Sequence, residues 1–410
     1  MIQAAAVGFA AVAVGFAVTA VVHRVIAPAE LLTPADHPYP TGPTRAKPGI
    51  VGTLIPAPLI VDGRLRVYAS RHQVRADHPV DARTPRTPYW SYRRWPAQLS
   101  GVVAAGTTVV SHWSDGELVA LDARNGHLIW RAAGPQPGQG YTGRRTGAAT
   151  LYTPPGLHTG TTRDGRAVIV ASGASGLHAY ELASGRKLWR DNRDPDCRTH
   201  GFTGVHGDYI ALHTCHATHT LHIYDLAHGT TTEWRPPGAT PTLAVTPIGC
   251  GIARSSCLGL QTSDRGQTQG WLLDPGGPVR TPTLDTPAAL LTGETVVTVR
   301  AERAVARSAR TGTELWHTPV PDGTTLLAAQ PGRLHLLTAD RELITVDPAT
   351  GRELSRYPLA HGPAPTTWTP GLVHAGHGYL AIERLAEPVN PAADDDRYYL
   401  DIEAVLLART

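Results

Sequence analysis

The densest cluster of metal-binding residue types in the chain is the segment HTCHATHTLH at residues 213–222. It holds one thiol, Cys215, and four imidazoles, His213, His216, His219 and His222. Two or three imidazoles with a thiolate form a ligand set for Zn²⁺ or Cu²⁺. The segment is also typical of a β-hairpin, and strand alternation sends successive side chains to opposite faces. Because the chain carries 20 histidines, we interpret these as surface or packing residues and predict no metal site.

The four cysteines, Cys197, Cys215, Cys250 and Cys257, all lie in one part of the chain and none has the C-x-x-C spacing of a zinc or redox site. An even number of clustered cysteines indicates structural disulfides, which need an oxidising compartment. Their positions favour Cys250 with Cys257 across a short loop, and Cys197 with Cys215. Four cysteines permit two other pairings, which the sequence leaves open.

No recognisable arrangement of catalytic residues is present. The chain has no Ser/His/Asp or Cys/His set with supporting context, no Gly-rich phosphate loop and no paired carboxylates on a recognisable element. The acidic stretch DDDRYY at 394–399 lacks the ligand spacing of a Ca²⁺ loop. A formal charge of +3 without basic runs between the aromatic residues excludes a typical nucleic-acid-binding protein. We therefore predict no catalytic, cofactor-binding or metal-binding residues.

A hairpin turn that recurs along the chain predicts the strands that carry the histidines and cysteines. Residues 120–130 read ALDARNGHLIW, and 179–189, 223–234, 306–316 and 345–355 echo them. An Asp or Ser side chain can bind backbone N–H groups two residues on, and the later Gly can take the positive φ that closes the hairpin. Ser308 takes the acidic place in the fourth copy and Ser355 the Trp place in the fifth. The motif residues are Ala120, Asp122, Gly126 and Trp130; Ala179, Glu181, Gly185 and Trp189; Asp225, Gly229 and Trp234; Ala306, Gly312 and Trp316; and Asp347 and Gly351.

The spacing of these turns predicts an all-β fold, a single β-propeller of eight four-stranded blades, with seven blades as the alternative. Six clear units lie between residues 101 and 357, an irregular one precedes them at 50–95, and another follows at 365–408. Each motif Trp would fill the gap between adjacent blades. We expect the last strands to close the ring against the first blade, because closure removes exposed sheet edges.

The start of the chain predicts a membrane anchor. Residues 2–22 carry no charge, and about 20 apolar residues suffice to cross a bilayer. We assign 1–24 to a transmembrane helix, 25–48 to a Pro-rich tether and 49–410 to the propeller; a cleaved signal peptide is the alternative. His23 and Arg24 after the helix favour a cytoplasmic propeller, whereas the cysteines favour an extracytoplasmic one. We follow the cysteines and predict a single-pass membrane protein with its propeller outside the cytoplasm.

The pattern Ala-x-Asp-x-x-x-Gly-x-x-x-Trp resembles the tryptophan-docking repeat of the pyrroloquinoline-quinone (PQQ) dehydrogenase-like propellers. The resemblance covers about residues 50–408 and implies the fold. That family contains quinone-dependent dehydrogenases, which hold the quinone and Ca²⁺ on the propeller axis. It also contains binding platforms, including the propeller subunit of the bacterial outer-membrane barrel assembly machinery and anchored extracytoplasmic propellers of actinobacteria.

The dehydrogenases of this family usually carry a disulfide between adjacent cysteines beside the cofactor, and this chain has no adjacent cysteine pair. It also lacks their long insertions, and no motif places their Ca²⁺ ligands or catalytic Asp. The resemblance therefore implies a non-enzymatic scaffold that needs no cofactor and binds a protein or cell-envelope ligand. A PQQ-dependent alcohol or sugar dehydrogenase with Ca²⁺ is the alternative.

Overall fold

The computed structural model describes residues 28–43, 47–83, 87–192, 197–216, 218–360, 367–390 and 397–410. The predicted membrane anchor, residues 1–24, lies outside the described residues. None of the helices in the described ranges has the length and apolar character that crossing a membrane takes. The anchor therefore stays a prediction.

Eight antiparallel sheets form an eight-bladed β-propeller, so the eight-blade prediction is confirmed and the seven-blade alternative is wrong. Blade 1 contains β3 (Leu59–Val61), β4 (Leu65–Ser70), β5 (Gln73–Asp77) and β6 (Trp90–Trp95), and blade 2 contains β7 (Leu99–Ala105), β8 (Thr108–Trp113), β9 (Glu117–Asp122) and β10 (Leu128–Ala133). Blade 3 contains β11 (Leu157–Thr161), β12 (Ala167–Gly173), β13 (Gly176–Glu181) and β14 (Lys187–Asn192), and blade 4 contains β15 (Arg198–Thr203), β16 (Asp208–Cys215), β17 (Thr218–Asp225) and β18 (Thr231–Trp234).

Blade 5 contains β19 (Ala244–Ile248), β20 (Gly259–Asp264), β21 (Gln267–Asp274) and β22 (Gly277–Arg280), and blade 6 contains β23 (Leu290–Thr292), β24 (Thr295–Arg300), β25 (Arg303–Ser308) and β26 (Glu314–Pro319). Blade 7 contains β27 (Thr325–Gln330), β28 (Arg333–Leu337), β29 (Glu342–Val346) and β30 (Glu353–Pro358). Within the described ranges, three short helices interrupt the strands: α1 (Ala148–Tyr152) and two 3-10 helices, Ile252–Arg254 and Pro282–Leu284. The first strands of neighbouring blades contact one another, which places them around the axis.

Blade 8 joins both ends of the propeller. It combines β31 (Thr369–Gly376), β32 (Tyr379–Leu385) and β33 (Val405–Arg409) with β2 (Gly49–Leu54), in the order β2-β33-β32-β31. We expected residues from about 50 to belong to the first blade and the last strands to close the ring. Instead the first strand of the propeller domain pairs with the last one, with Thr53 opposite Leu406. This pairing covers the outer edge of β33 and gives the N-terminal strand β2 a partner.

Part of the segment predicted as a tether belongs to the first sheet. β1 (Ala29–Thr33) pairs antiparallel with β6, so that blade 1 has five strands. The AELLT sequence of β1 lies between two prolines and contains none, which leaves its backbone free to pair. Glu30 binds Arg131 of blade 2, and Leu32 packs on the core of blade 1. Residues 29–33 therefore form a strand instead of an extended tether.

The alternating strand directions separate two faces of the ring. The turns between first and second strands, and between third and fourth strands, lie on one face, which we call the turn face. The turns between second and third strands and the connections between blades lie on the other. We call it the long-loop face, because it carries residues 134–156 and, on either side of an undescribed stretch, residues 386–390 and 397–404. Middle strands such as β12 are buried on both sides by neighbouring blades, which explains their continuous apolar runs.

Candidate functional site at the propeller axis

The motif tryptophans join each blade to the next. In four of the described blade interfaces the indole N–H donates to the carbonyl of the residue that follows the acidic position in the next turn. The bonds run from Trp90 to Ala123 (2.8 Å), Trp130 to Leu182 (2.7 Å), Trp189 to Leu226 (2.9 Å) and Trp316 to Pro348 (2.9 Å). The sequence motif found three of these tryptophans. It missed Trp90, because residues 78–89 separate Asp77 from Trp90 in the sequence, where the motif has a short turn. The structure nevertheless pairs Ala76 with Trp90 across the two strands.

The turn glycines of the next blade form a flat contact surface, the glycine floor, against which these rings pack. A Cβ on Gly126 would lie 2.5 Å from Trp90, and a Cβ on Gly351 would lie 2.5 Å from Trp316. Gly126 also has φ 74°, where side chains are strained. The glycine of the motif is therefore required twice, by backbone conformation and by contact with the indole.

Two predicted motif positions depart from this arrangement. Trp234 pairs with Leu221, two residue pairs further from the turn than the other motif tryptophans, and stands edge-on against Trp271 with 5.0 Å between ring centroids. Ser355 faces Thr345 in the place that a docking Trp takes elsewhere. Blade joining therefore varies around the ring.

Helix α1 fills the axis from the long-loop face. It follows blade 2 and contacts β4, β7, β31 and the 3-10 helix of blade 5, which lie on different sides of the ring. Leu151 is fully buried, and the hydroxyl of Tyr152 donates to the carbonyl of Pro58 at 2.8 Å. This helix was not predictable from the sequence, because five residues are too few for a helical pattern.

The loop closed by Cys250 and Cys257 fills the axis from the turn face. It connects β19 and β20 of blade 5 but hydrogen-bonds to blades 3 and 4. The carbonyl of Ala253 lies 2.7 Å from Nδ1 of His158, and the Cys257 N–H donates to Thr203 at 2.7 Å. Burial lowers the pKa of His158 to about 4, so its ring is neutral at pH 7 and Nδ1 carries the proton that this bond needs. The axis is thus occupied by the chain's own residues.

A cavity of about 490 Å³ remains beside Ile252 at the turn-face end of the axis. Its polar lining includes Asp62, Gln330, Arg333 and His374. Asp62 accepts a hydrogen bond from Tyr39 at 3.0 Å and lies 3.3 Å from Arg64. Gln330 is hydrogen-bonded to the Gly378 N–H at 2.8 Å, and burial lowers the pKa of His374 to about 4.

This lining does not fit a Ca²⁺-bound quinone. Ca²⁺ takes about six to eight oxygen ligands, usually with several carboxylates, and the cavity lining supplies one carboxylate, Asp62, which Arg64 already neutralises. Across the ranges that the structure describes, no group of three His, Cys, Asp or Glu side chains is placed to hold a metal ion. The apolar part of the lining, which includes Leu59, Val61 and Ile252, can contact an apolar group.

The cysteines form the two predicted disulfides, Cys197 with Cys215 and Cys250 with Cys257. The sulfur of Cys215 is therefore not available as a thiolate ligand. In the histidine cluster of β16 and β17, the rings of His213 and His222 lie 4.5 Å apart between centroids. Nδ1 of His219 lies 2.6 Å from the carbonyl of Leu243 instead. The acidic residues 394–396 lie outside the described residues.

One family model matches the sequence. It is described as outer membrane protein assembly factor BamB (PQQ_2), and it matches residues 40–235, which is just under half of the chain and spans blades 1 to 4. Blades 1 to 4 thus match a family of PQQ-like β-propeller repeats. The four matched blades contain three of the four tryptophans that donate to the next turn. A comparison with curated proteins gives no match.

Solved propellers of different kinds are similar to this PQQ-like propeller in shape. BamB from Moraxella catarrhalis is 14% identical, covering 89% of this chain and 98% of that one, with a TM-score of 0.46. The C-terminal WD40 domain of Sif2 is 11% identical over 88% and 98%, with a TM-score of 0.47. Quinohemoprotein alcohol dehydrogenase ADHIIG from Pseudomonas putida HK5 is 13% identical over 82% and 72%, with a TM-score of 0.41. Likenesses this low carry no argument about activity.

Proposed function

We propose that this PQQ-like propeller is a non-enzymatic, membrane-anchored scaffold that binds a partner protein outside the cytoplasm. The filled axis is the observation that supports the proposal most. A cofactor in the middle of the axis would have to displace α1 or the loop closed by Cys250 and Cys257, and the lining of the cavity at the turn-face end does not suit a Ca²⁺-bound quinone. Exposing even one buried side chain such as Leu151 costs about 1.5–3 kcal/mol, and Tyr152 and Ile252 would move with it. The dehydrogenase alternative draws on the shared repeat alone.

Two features support the proposed location. The disulfides Cys197–Cys215 and Cys250–Cys257 need an oxidising compartment. The uncharged residues 2–22 suit an uncleaved anchor. Together they favour a propeller held outside the cytoplasmic membrane.

The long-loop face is the proposed docking face. It presents exposed apolar side chains at Ile55, Val389 and Ile402, and Ile402 is 67% exposed. The two long loops are tied together, because Nη2 of Arg145 donates to the carbonyl of Asp401 at 2.8 Å. A rigid surface with exposed apolar groups lowers the entropic cost of binding.

Site-specific cross-linking in the native membrane tests the proposal. A photoreactive benzoylphenylalanine replaces Ile402 on the long-loop face or, as the matched control, the exposed Asp164 on the turn face of blade 3 in the full chain. We expect one discrete adduct with a partner protein from position 402 and none from 164, and the identified partner should bind the purified full chain saturably. The absence of a discrete adduct from both positions would rule out a protein scaffold.

A further inference from the structure

The interface between blades 5 and 6 lacks a docking tryptophan. In blade 2, Trp130 pairs with Ala120, two residues before the acidic motif position. The residue in the same register of blade 5 is Val279, which pairs with Leu272, two residues before Asp274. Val279 is 47% exposed. A smaller, outward residue therefore stands where an indole docks in four of the other described interfaces.

The floor for a ring is nevertheless present. Gly312 closes the turn of blade 6 with φ 74°, as Gly126 does in blade 2. A Cβ on Gly312 would have no atom within 4 Å, whereas one on Gly126 would lie 2.5 Å from an indole. The space above Gly312 is open.

Residues near this interface make the hydrogen bond and the packing contacts that a docking indole makes elsewhere. The carbonyl of Ala309, which an indole N–H would meet, accepts the hydroxyls of Thr281 and Thr283, the latter at 3.1 Å. Leu284 is fully buried and packs with Val296 in the inner part of the interface. The outer part remains as a cavity of about 350 Å³, which we call the rim slot. Its lining includes Val296, Thr298, Arg300, Arg307, Arg310 and Gly312.

One of the three arginines that line the rim slot, Arg300, is not paired with a carboxylate in the described part of the chain. Arg310 binds Asp274 at 2.8 Å, and Arg307 lies 3.6 Å from Glu314. Arg300 donates to the hydroxyl of Thr286 at 3.0 Å. Among the described residues it has no carboxylate partner.

We propose that the rim slot binds an aromatic side chain of the partner protein, with a neighbouring carboxylate of the same segment on Arg300. The glycine floor and Val296 accept a flat ring, and an arginine can cover a ring face in this molecule, as Arg94 does over Trp113 at 5.4 Å. A slot of this volume lies in the size range of ligand sites, about 300–1,000 Å³. The inference rests on the proposed scaffold function and specifies the chemistry of its partner.

A short fluorinated peptide tests the rim slot directly. The probe is acetyl-Asp-(4-fluorophenylalanine)-Asp-amide, followed by ¹⁹F NMR during titration with the purified full chain. We expect saturable broadening or shift of the fluorine signal. Val279→Trp supplies the missing ring from within the chain, and it should weaken binding by about tenfold or more, since the anchor pocket is filled. Arg300→Gln should weaken binding by about fivefold and abolish its salt dependence.

Controls keep the outcome specific. Leu354→Trp adds an exposed ring to the outer strand of blade 7, where Leu354 is 41% exposed, and it should leave peptide binding unchanged. Thr298→Phe fills the slot from its other wall, should Val279→Trp fail to fold. Unchanged peptide binding in a folded slot-filling variant would overturn the rim slot. Peptide binding without any membrane adduct would instead count against the scaffold, so the two failures are distinguishable.

Discussion

Each docking tryptophan contributes one buried ring and one hydrogen bond to the next blade. The Trp130 side chain is 7% exposed, and its indole donates to Leu182 at 2.7 Å. Removing such a ring leaves a cavity and an unpaired carbonyl. We expect Trp130→Ala to lower the free energy of unfolding by about 3–5 kcal/mol, measured by urea denaturation. Trp95→Ala is the control, because Trp95 is 45% exposed; an equal loss in both variants would contradict a docking role.

A comparison of two turn glycines separates the free-energy cost of backbone strain from the cost of a packing overlap. Gly126 and Gly312 share φ 74°, but only Gly126 touches an indole. Gly312→Ala should cost about 1 kcal/mol for the left-handed conformation alone. Gly126→Ala should cost a further 1–3 kcal/mol or so, because its Cβ overlaps Trp90. Urea unfolding of both variants measures the difference, and equal costs would mean that the indole moves freely.

At the scale of elements, the loop closed by Cys250 and Cys257 and helix α1 hold the axis from opposite faces. The loop contacts blades 3 and 4 through Ala253 and Cys257. We expect the double variant Cys250→Ser, Cys257→Ser to lose about 2–4 kcal/mol of stability. Hydrogen exchange should rise at His158 and Thr159, next to the loop. Faster exchange that stays confined to residues 249–258 would contradict a role of the loop in holding the axis.

At the scale of the whole molecule, buried neutral histidines make stability depend on pH. Burial lowers the pKa of His112, His158, His335 and His374 to about 4, from an ordinary value of 6.5. Between pH 6.5 and 4 the unfolded chain binds protons at these positions and the native chain does not. The free energy of unfolding should therefore fall as pH falls through this window, by up to about 1.4 kcal/mol per pH unit for each histidine.

Urea denaturation between pH 7 and pH 5 measures this dependence above most of the carboxylate titrations. A flat profile would show that the imidazoles are accessible to protons in the native state. NMR titration of the imidazole C–H signals assigns the effect to individual residues. His112→Gln, at a fully buried position, should reduce the slope.

The repeating turn made the blades predictable, because its Asp, Gly and Trp each have a local physical role. Ring closure by the last strands was expected, but the place of β2 in blade 8 was not predictable, since GIVGTL is an ordinary apolar strand and nothing local identifies its partner. The strand β1 was not predicted, because the prolines around it favoured a tether. The filling of the axis by α1 and Ile252 depends on contacts between blades distant in sequence, so the candidate site emerged only from the structure.

The central claim is that this PQQ-like propeller keeps its axis filled with its own side chains and serves as a scaffold. Titration of the purified full chain with PQQ and Ca²⁺, followed by calorimetry and by dye-linked oxidation of alcohols and sugars, tests it most directly. The filled axis predicts no stoichiometric binding and no oxidation above a protein-free control. Stoichiometric quinone binding with turnover would contradict the claim.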